Sequence, residues 1–199
     1  MGSKSLNKAF IYEYIENSIA VKQKVLQNVS LINTLYEVAE MCVATFKKGN
    51  KVILAGNGGS AADAQHIAAE FVSKFRFDRA GLPSISLSSD TSMLTAIGND
   101  YGYENLFARQ LQANGNSGDL FIGISTSGTS KNVVKAVQVC DDLGIIPVVF
   151  TGGSGGDLKD LAKYCLSVPS DSTALIQECH IMLGHIVCGY VEDTLFGGK

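Results

Sequence analysis

His66 and Glu70 stand four residues apart, so on a helix an imidazole and a carboxylate share one face. Such a pair can move protons between carbon and oxygen, and with further N or O donors it can hold a divalent ion. Just before them the chain reads Val52-Ile53-Leu54-Ala55, then Gly56-Asn57-Gly58-Gly59-Ser60. The apolar, β-branched run has the composition of a buried parallel strand. Glycines let the backbone turn tightly and aim its N–H groups outward. Ser60 is placed to cap the helix that follows. A helix start behind such a loop attracts an anion, because free N–H groups and the macrodipole act in the same direction.

A second loop of this kind follows at Ser125-Thr126-Ser127-Gly128-Thr129-Ser130, directly after Asp119-Leu120-Phe121-Ile122-Gly123-Ile124. Five hydroxyls in six residues exceed what helix capping needs, whereas a phosphate uses converging O–H and N–H donors. Lys131 reads equally as an added charge beside them or as a solvated side chain. Three readings compete for the first loop: a structural turn with His66 and Glu70 on a solvated face, a dinucleotide site, and a phosphosugar site. The dinucleotide reading rests on Gly56-Asn57-Gly58 followed by Ala61, a loose G-x-G-x-x-A, with Asp90 as ribose-binding acid. The phosphosugar reading gains from the second anion loop. A third glycine loop, Thr151-Gly152-Gly153-Ser154-Gly155-Gly156, reads as a connector.

The elements that must position these groups follow from apolar periodicity. Strands are expected at Val52–Ala55, Ser84–Leu87, Asp119–Ile124, Ile145–Phe150 and Tyr164–Val168. Helices are expected after the first loop, over 92–97 ended by Gly98, over 104–112, over 131–143 and over 172–195. The last is apolar nearly all round, which implies burial on most sides, lodged between subunits. Ahead of the first strand, Leu6 to Lys48 reads as two helices, with Ser30 as a possible cap of the second, forming an N-terminal helical arm (1–48) before an α/β core (49–199) in one domain, 1–199. Alternating strands and helices make a three-layer sandwich around a five-stranded parallel sheet, with both anion loops at the strands' carboxyl ends.

Composition narrows the classes further. The chain has 199 residues, 46% hydrophobic and 18% charged, with a net charge of -3. A pI near 5.6 argues against nucleic acid or an anionic membrane as main partner. Mean hydropathy is +0.16, and since no apolar run reads as long enough to cross a bilayer, the excess is assigned to a subunit interface. Cys42, Cys140, Cys165, Cys179 and Cys188 form no C-x-x-C pair, so they read as reduced thiols of a cytoplasmic protein. The N-terminus carries no signal-peptide pattern, and Leu6 stands where a myristoylation signal needs Ser or Thr.

Four blocks in order, Gly56-Asn57-Gly58-Gly59-Ser60-Ala61-Ala62-Asp63-Ala64-Gln65-His66, Gly98-Asn99-Asp100-Tyr101-Gly102, Gly123-Ile124-Ser125-Thr126-Ser127-Gly128 and Ile176-Gln177-Glu178-Cys179-His180, resemble the sugar isomerase (SIS) domain family. Within it they are similar to the phosphoheptose isomerase branch, over almost the whole chain. The resemblance implies a flavodoxin-like strand order and conversion of sedoheptulose 7-phosphate to D-glycero-D-manno-heptose 7-phosphate through an enediol, the first step toward nucleotide-activated heptose for cell-surface glycans such as lipopolysaccharide or capsule. It implies phosphate binding by Ser125, Thr126, Ser127 and Ser130, and substrate contacts from Asn57, Gly58, Gly59, Ser60, Glu70, Asn99, Asp100 and Gln177. Glu70 and His185 would be the acid/base pair. His66, Glu70, Gln177 and His185 would hold one zinc per subunit, with His180 in reserve. Homotetramers with active sites at subunit interfaces are implied as well, and no nucleic-acid or membrane partner. The alternative is a non-catalytic relative, a phosphosugar-binding or replication-initiator-associated protein. Three positions depart from the pattern: Ala174 and Leu175, where a polar residue and Arg are usual, and Lys74, where Arg is favoured. Arg76 and Arg79 read as surface residues.

Overall fold

The structure, a computed structural model, describes residues 8–197. The expected helix start at Leu6 and the N-terminal lipidation reading at residues 1–6 lie outside these. In order the elements are α1 (Lys8–Gln27), α2 (Val29–Lys47), β1 (Val52–Gly56), α3 (Gly59–Val72), β2 (Ser84–Ser86), α4 (Thr91–Tyr101), a 3-10 turn (Tyr103–Asn105), α5 (Leu106–Asn114), β3 (Leu120–Ile124), α6 (Lys131–Gln138), α7 (Cys140–Leu143), β4 (Ile146–Gly152), α8 (Leu158–Leu161), β5 (Tyr164–Val168) and α9 (Thr173–Phe196).

The strands form one parallel sheet in the order β2-β1-β3-β4-β5, the flavodoxin-like order. Alternate strand residues feed two cores. Leu54, Ile122, Phe150 and Leu166 pack with α2, α3 and α9, whereas Ile53, Phe121 and Val149 pack with α5, α6 and α8. The chain reverses direction across the sheet between β1 and β3, whose residues pair from Val52↔Leu120 to Gly56↔Ile124. The loops leaving these two strands therefore diverge and open a crevice at their carboxyl ends.

Several local expectations are corrected. Gly58, at φ 57°, takes the N-cap of α3, so Ser60 lies buried in the first turn instead of capping. Asn28, not Ser30, caps α2 by accepting from the Leu31 N–H. Asp90 is the N-cap of α4, accepting from the Met93 N–H, which starts that helix early. Helix α4 runs through Gly98 and stops at Gly102, φ 86°, so Asn99 and Asp100 sit on its last turn rather than in a loop. The helix expected over 131–143 divides at Val139. Helix α2 is packed into the core through Leu31, Leu35, Val38 and Val43, while α1 leaves Phe10, Ile11, Tyr14, Ile15 and Ile19 exposed. The expectation of no bilayer-length apolar run also needs correction. By length and composition α9 would qualify, but 56% of its most apolar window is buried within the fold.

Candidate active site

The first loop and the serine loop meet across the crevice through two amides. Asn57 Nδ2 donates to Asn132 Oδ1 at 2.9 Å, and Asn132 Nδ2 donates back to Asn57 Oδ1 at 2.8 Å. The Tyr103 hydroxyl donates to the same Asn57 oxygen at 2.9 Å. Asn57 Oδ1 thus accepts from two donors, and Asn132 takes one of the two N–H groups of the Asn57 amide. Neither Asn132 nor Tyr103 was legible as a site residue. Tyr103 stands one residue beyond a recognisable block, and buried Asn132 carries no local signal. A cavity of about 430 Å³ adjoins the loop, lined by residues that include Asn57, Gly58, Ser88, Gly98 and Tyr103, but not Asn99 or Asp100. The latter two are exposed, with Asn99 Nδ2 donating to Asp100 Oδ1 at 2.8 Å.

In the serine loop the Ser125 and Ser130 hydroxyls lie 2.8 Å apart, and Ser127 Oγ accepts from the Thr129 N–H and hydroxyl. Ser125 is buried, Thr126 and Ser130 half-buried and Ser127 exposed. These hydroxyls stand at the start of α6, whose first-turn N–H groups have no intrahelical acceptors. The third glycine loop buttresses this cradle. The Leu158 N–H donates to Gly128 O at 3.1 Å, and a Cβ on Gly128, at φ 69°, would fall 2.0 Å from Gly155 O.

A second cluster lies further along α3. His66 Nε2 is 2.9 Å from His185 Nε2 and 3.3 Å from Glu70 Oε1. One ligand atom from each of His66, Glu70 and His185 falls within 4.8 Å of the others, so the expected acid and base meet in one chain. Phe75 stacks on the His185 ring at 5.5 Å. A tetrahedral ion with bonds of about 2.0–2.1 Å sets neighbouring donors roughly 3.3 Å apart, and two imidazoles with a carboxylate suit a borderline divalent ion. These residues fit a metal.

Gln177 is not brought to this cluster. Its amide fills the space a Gly59 side chain would need, with Nε2 1.9 Å from a Cβ built there. Helices α3 and α9 run parallel, and Gln177 is about 12 Å of helix rise before His185. Gln177 therefore belongs with the phosphate loops in its own chain. His180 is not a ligand either. It is fully buried, its Nε2 lies 2.9 Å from Thr151 O, and burial pushes its imidazole down to about 4. Asp63, one turn before His66, is buried with Oδ2 unpartnered among the described residues; burial, opposed by His66, raises its carboxyl to about 6. Asp90, spent as a helix cap, does not serve as a ribose-binding acid.

Two phosphate-suited loops at a sheet's switch point, with a carboxylate and imidazoles behind them, define an α/β protein that handles phosphorylated sugars. The SIS domain model matches residues 13–152, and the chain belongs to that family. It is 56% identical to a phosphoheptose isomerase of Aneurinibacillus thermoaerophilus over 190 residues, 96% of each chain. It is also 56% identical to phosphoheptose isomerase 2 of Campylobacter jejuni, over 95% of this chain and 94% of that one. The solved phosphoheptose isomerase of Francisella tularensis superposes with a TM-score of 0.90 at 36% identity, covering 94% of this chain and 100% of the other.

Proposed function

We propose that this chain isomerises sedoheptulose 7-phosphate to D-glycero-D-manno-heptose 7-phosphate in the cytoplasm, as the first step toward activated heptose for surface glycans. The observation that carries the reading is the meeting of Glu70, His66 and His185 in a chain more than half identical to enzymes of that name. The non-catalytic alternative has no comparable support.

Moving a proton between C1 and C2 through a cis-enediol needs one base for the carbon proton and one group for the oxygens. Glu70 takes the proton from carbon, and the His185 imidazole, held by Phe75, passes one between the two oxygens. Ser125, Thr126, Ser127 and Ser130 hold the phosphate, with Asn57, Gly58, Gly59, Ser60 and Gln177 along the sugar and Asn99 and Asp100 at the rim. A zinc ion held by His66, Glu70 and His185 would polarise the carbonyl and spread the enediolate charge.

Spacing argues for a site shared between copies. From Gly59 to Glu70 is about 16 Å along α3. Fully extended at tetrahedral angles, six C–C bonds and the phosphate ester together reach roughly 10 Å. A heptose phosphate gripped by one chain's cradle thus falls short of the same chain's Glu70, and a second copy supplies the acid/base pair, whose metal site the Gln177 beside that cradle would complete. Two apolar surfaces suit such assembly: the exposed face of α1, and an open groove beside His185 that includes Ile181, Ile186 and Tyr190. A homotetramer is the expected form.

The test is to incubate the purified protein with sedoheptulose 7-phosphate, with and without added zinc, and follow the sugar by NMR. Conversion to the aldose is expected. No conversion under either condition would remove the assignment.

A further inference from the structure

Arg79, read from the sequence as a surface residue, is the most heavily bonded side chain near the catalytic pair. Its side chain is 3% exposed. Nη2 donates to the main-chain carbonyl of Glu70 itself at 2.7 Å, and Nη1 donates to the carbonyls of Phe71, Ser73 and Ala80 at 2.6, 3.1 and 3.0 Å. Nε donates to Glu192 Oε1 at 3.1 Å. Glu192 is wholly buried on α9, seven residues beyond His185 and so on the same stripe of that helix. Its two oxygens also accept the N–H groups of Phe75 and Arg76 at 2.9 and 2.8 Å. Phe75, held there, is the ring that stacks on His185.

We infer that Arg79 and Glu192 form a clip that fixes the end of α3 against α9 and thereby sets the distance between Glu70 and His185. The inference rests on the isomerase reading of those two residues. Arg79 closes the end of α3, whose last carbonyls have no intrahelical donors, sharing Phe71 O with the Leu82 N–H at 3.0 Å, and its positive charge complements the negative end of the macrodipole. Its planar fork reaches four carbonyls and a carboxylate at once, which a lysine cannot do. Because one guanidinium holds the Glu70 main chain and the α9 carboxylate, neither helix can slide without breaking a buried charge-assisted bond. Arg79 and Glu192 touch neither substrate nor metal; they are positioning residues.

The test uses two variants of the full chain, Arg79→Lys and the double variant Arg79→Met with Glu192→Met. The double change removes both charges together, so neither is left buried and unpaired, at the cost of the N–H groups of Phe75 and Arg76 losing their acceptor, which the thermal midpoint reads. Where its thermal midpoint stays near the parent's, kcat is expected to fall about 10- to 100-fold with KM within about twofold, since the phosphate loops are untouched. Arg79→Lys keeps the charge and the fold and is expected to show the same split in smaller degree. Parental kcat in Arg79→Lys, or in a double variant of parental stability, overturns the clip as a positioning device. Zinc affinity, measured by competition with a chromophoric chelator, reads the same geometry without turnover and is expected to weaken by about the same factor. Equal affinity in parent and both variants also overturns the proposal. An inactive parent strikes the isomerase reading alone, because the zinc measurement still reports on the clip.

Discussion

His180 and His185 share one helix and one residue type, yet burial separates their roles. His180 sits in the core against Thr151 O, and Nδ1 has no partner among the described residues, so its neutral form is the one the fold accepts. Its folded value of about 4 lies below the ordinary 6.5. The unfolded chain therefore binds more protons between these values, and stability contributed above pH 6.5 is lost as pH falls toward 4. That shift corresponds to about 3 kcal/mol. His180→Gln, whose amide N–H can still reach Thr151 O, should reduce the acid sensitivity. The measurement is the difference in denaturant midpoint between parent and variant at pH 7 and pH 4.5; an unchanged difference would remove the buried imidazole as its cause. Glu70→Gln makes the complementary test at the surface cluster. Turnover should vanish while sugar-phosphate binding, read by calorimetry, stays largely intact, and near-normal turnover would exclude Glu70 as the base. Residue types at helical spacing made His66 and Glu70 visible in the sequence. Asn132 and Arg79 were not, because each acts through partners that only folding brings near.

At the scale of elements, strand order came with the family resemblance alone, whereas strand positions were largely legible, since parallel strands buried on both faces write themselves as apolar runs. Helix ends were less so. Asn28 and Gly58 took the caps expected of Ser30 and Ser60, and Gly98 stayed inside α4 because the positive-φ stop fell four residues later, at Gly102. Helix α8 is too short for periodicity to show. The third glycine loop read as a connector, yet its backbone packs on Gly128 and so shapes the phosphate cradle. Gly128→Ala should therefore act on binding more than on chemistry. A left-handed conformation costs a side-chain-bearing residue roughly 1–2 kcal/mol, and a Cβ 2.0 Å from Gly155 O forces the two loops apart. The expected result is a thermal midpoint lowered by a few degrees and a KM raised about tenfold or more, with kcat less affected. A parental KM would show that the serine loop does not hold the phosphate in this shape.

The whole molecule raises the question of where a complete site lies. One chain carries phosphate-suited loops at the starts of α3 and α6, and a His66, Glu70 and His185 cluster whose Glu70 lies about 16 Å along α3 from the first of them. Its apolar outer face on α1 and the groove beside His185 are open to a second copy. If the cradle of one copy works with the cluster of another, two inactive variants can repair each other. Glu70→Gln lacks the base but keeps the cradle, and Ser125→Ala has the reverse defect. Each alone should be nearly inactive. After co-unfolding and refolding at equal concentration, a site is whole when an intact cluster meets an intact cradle, which restores up to about a quarter of the parent rate under random assembly. Sites contained within single chains would gain nothing from mixing. Ile15→Asp, placed in the exposed stripe of α1, should lower the sedimentation coefficient and the restored rate together; loss of assembly with full activity in the parental background would return the site to the single chain.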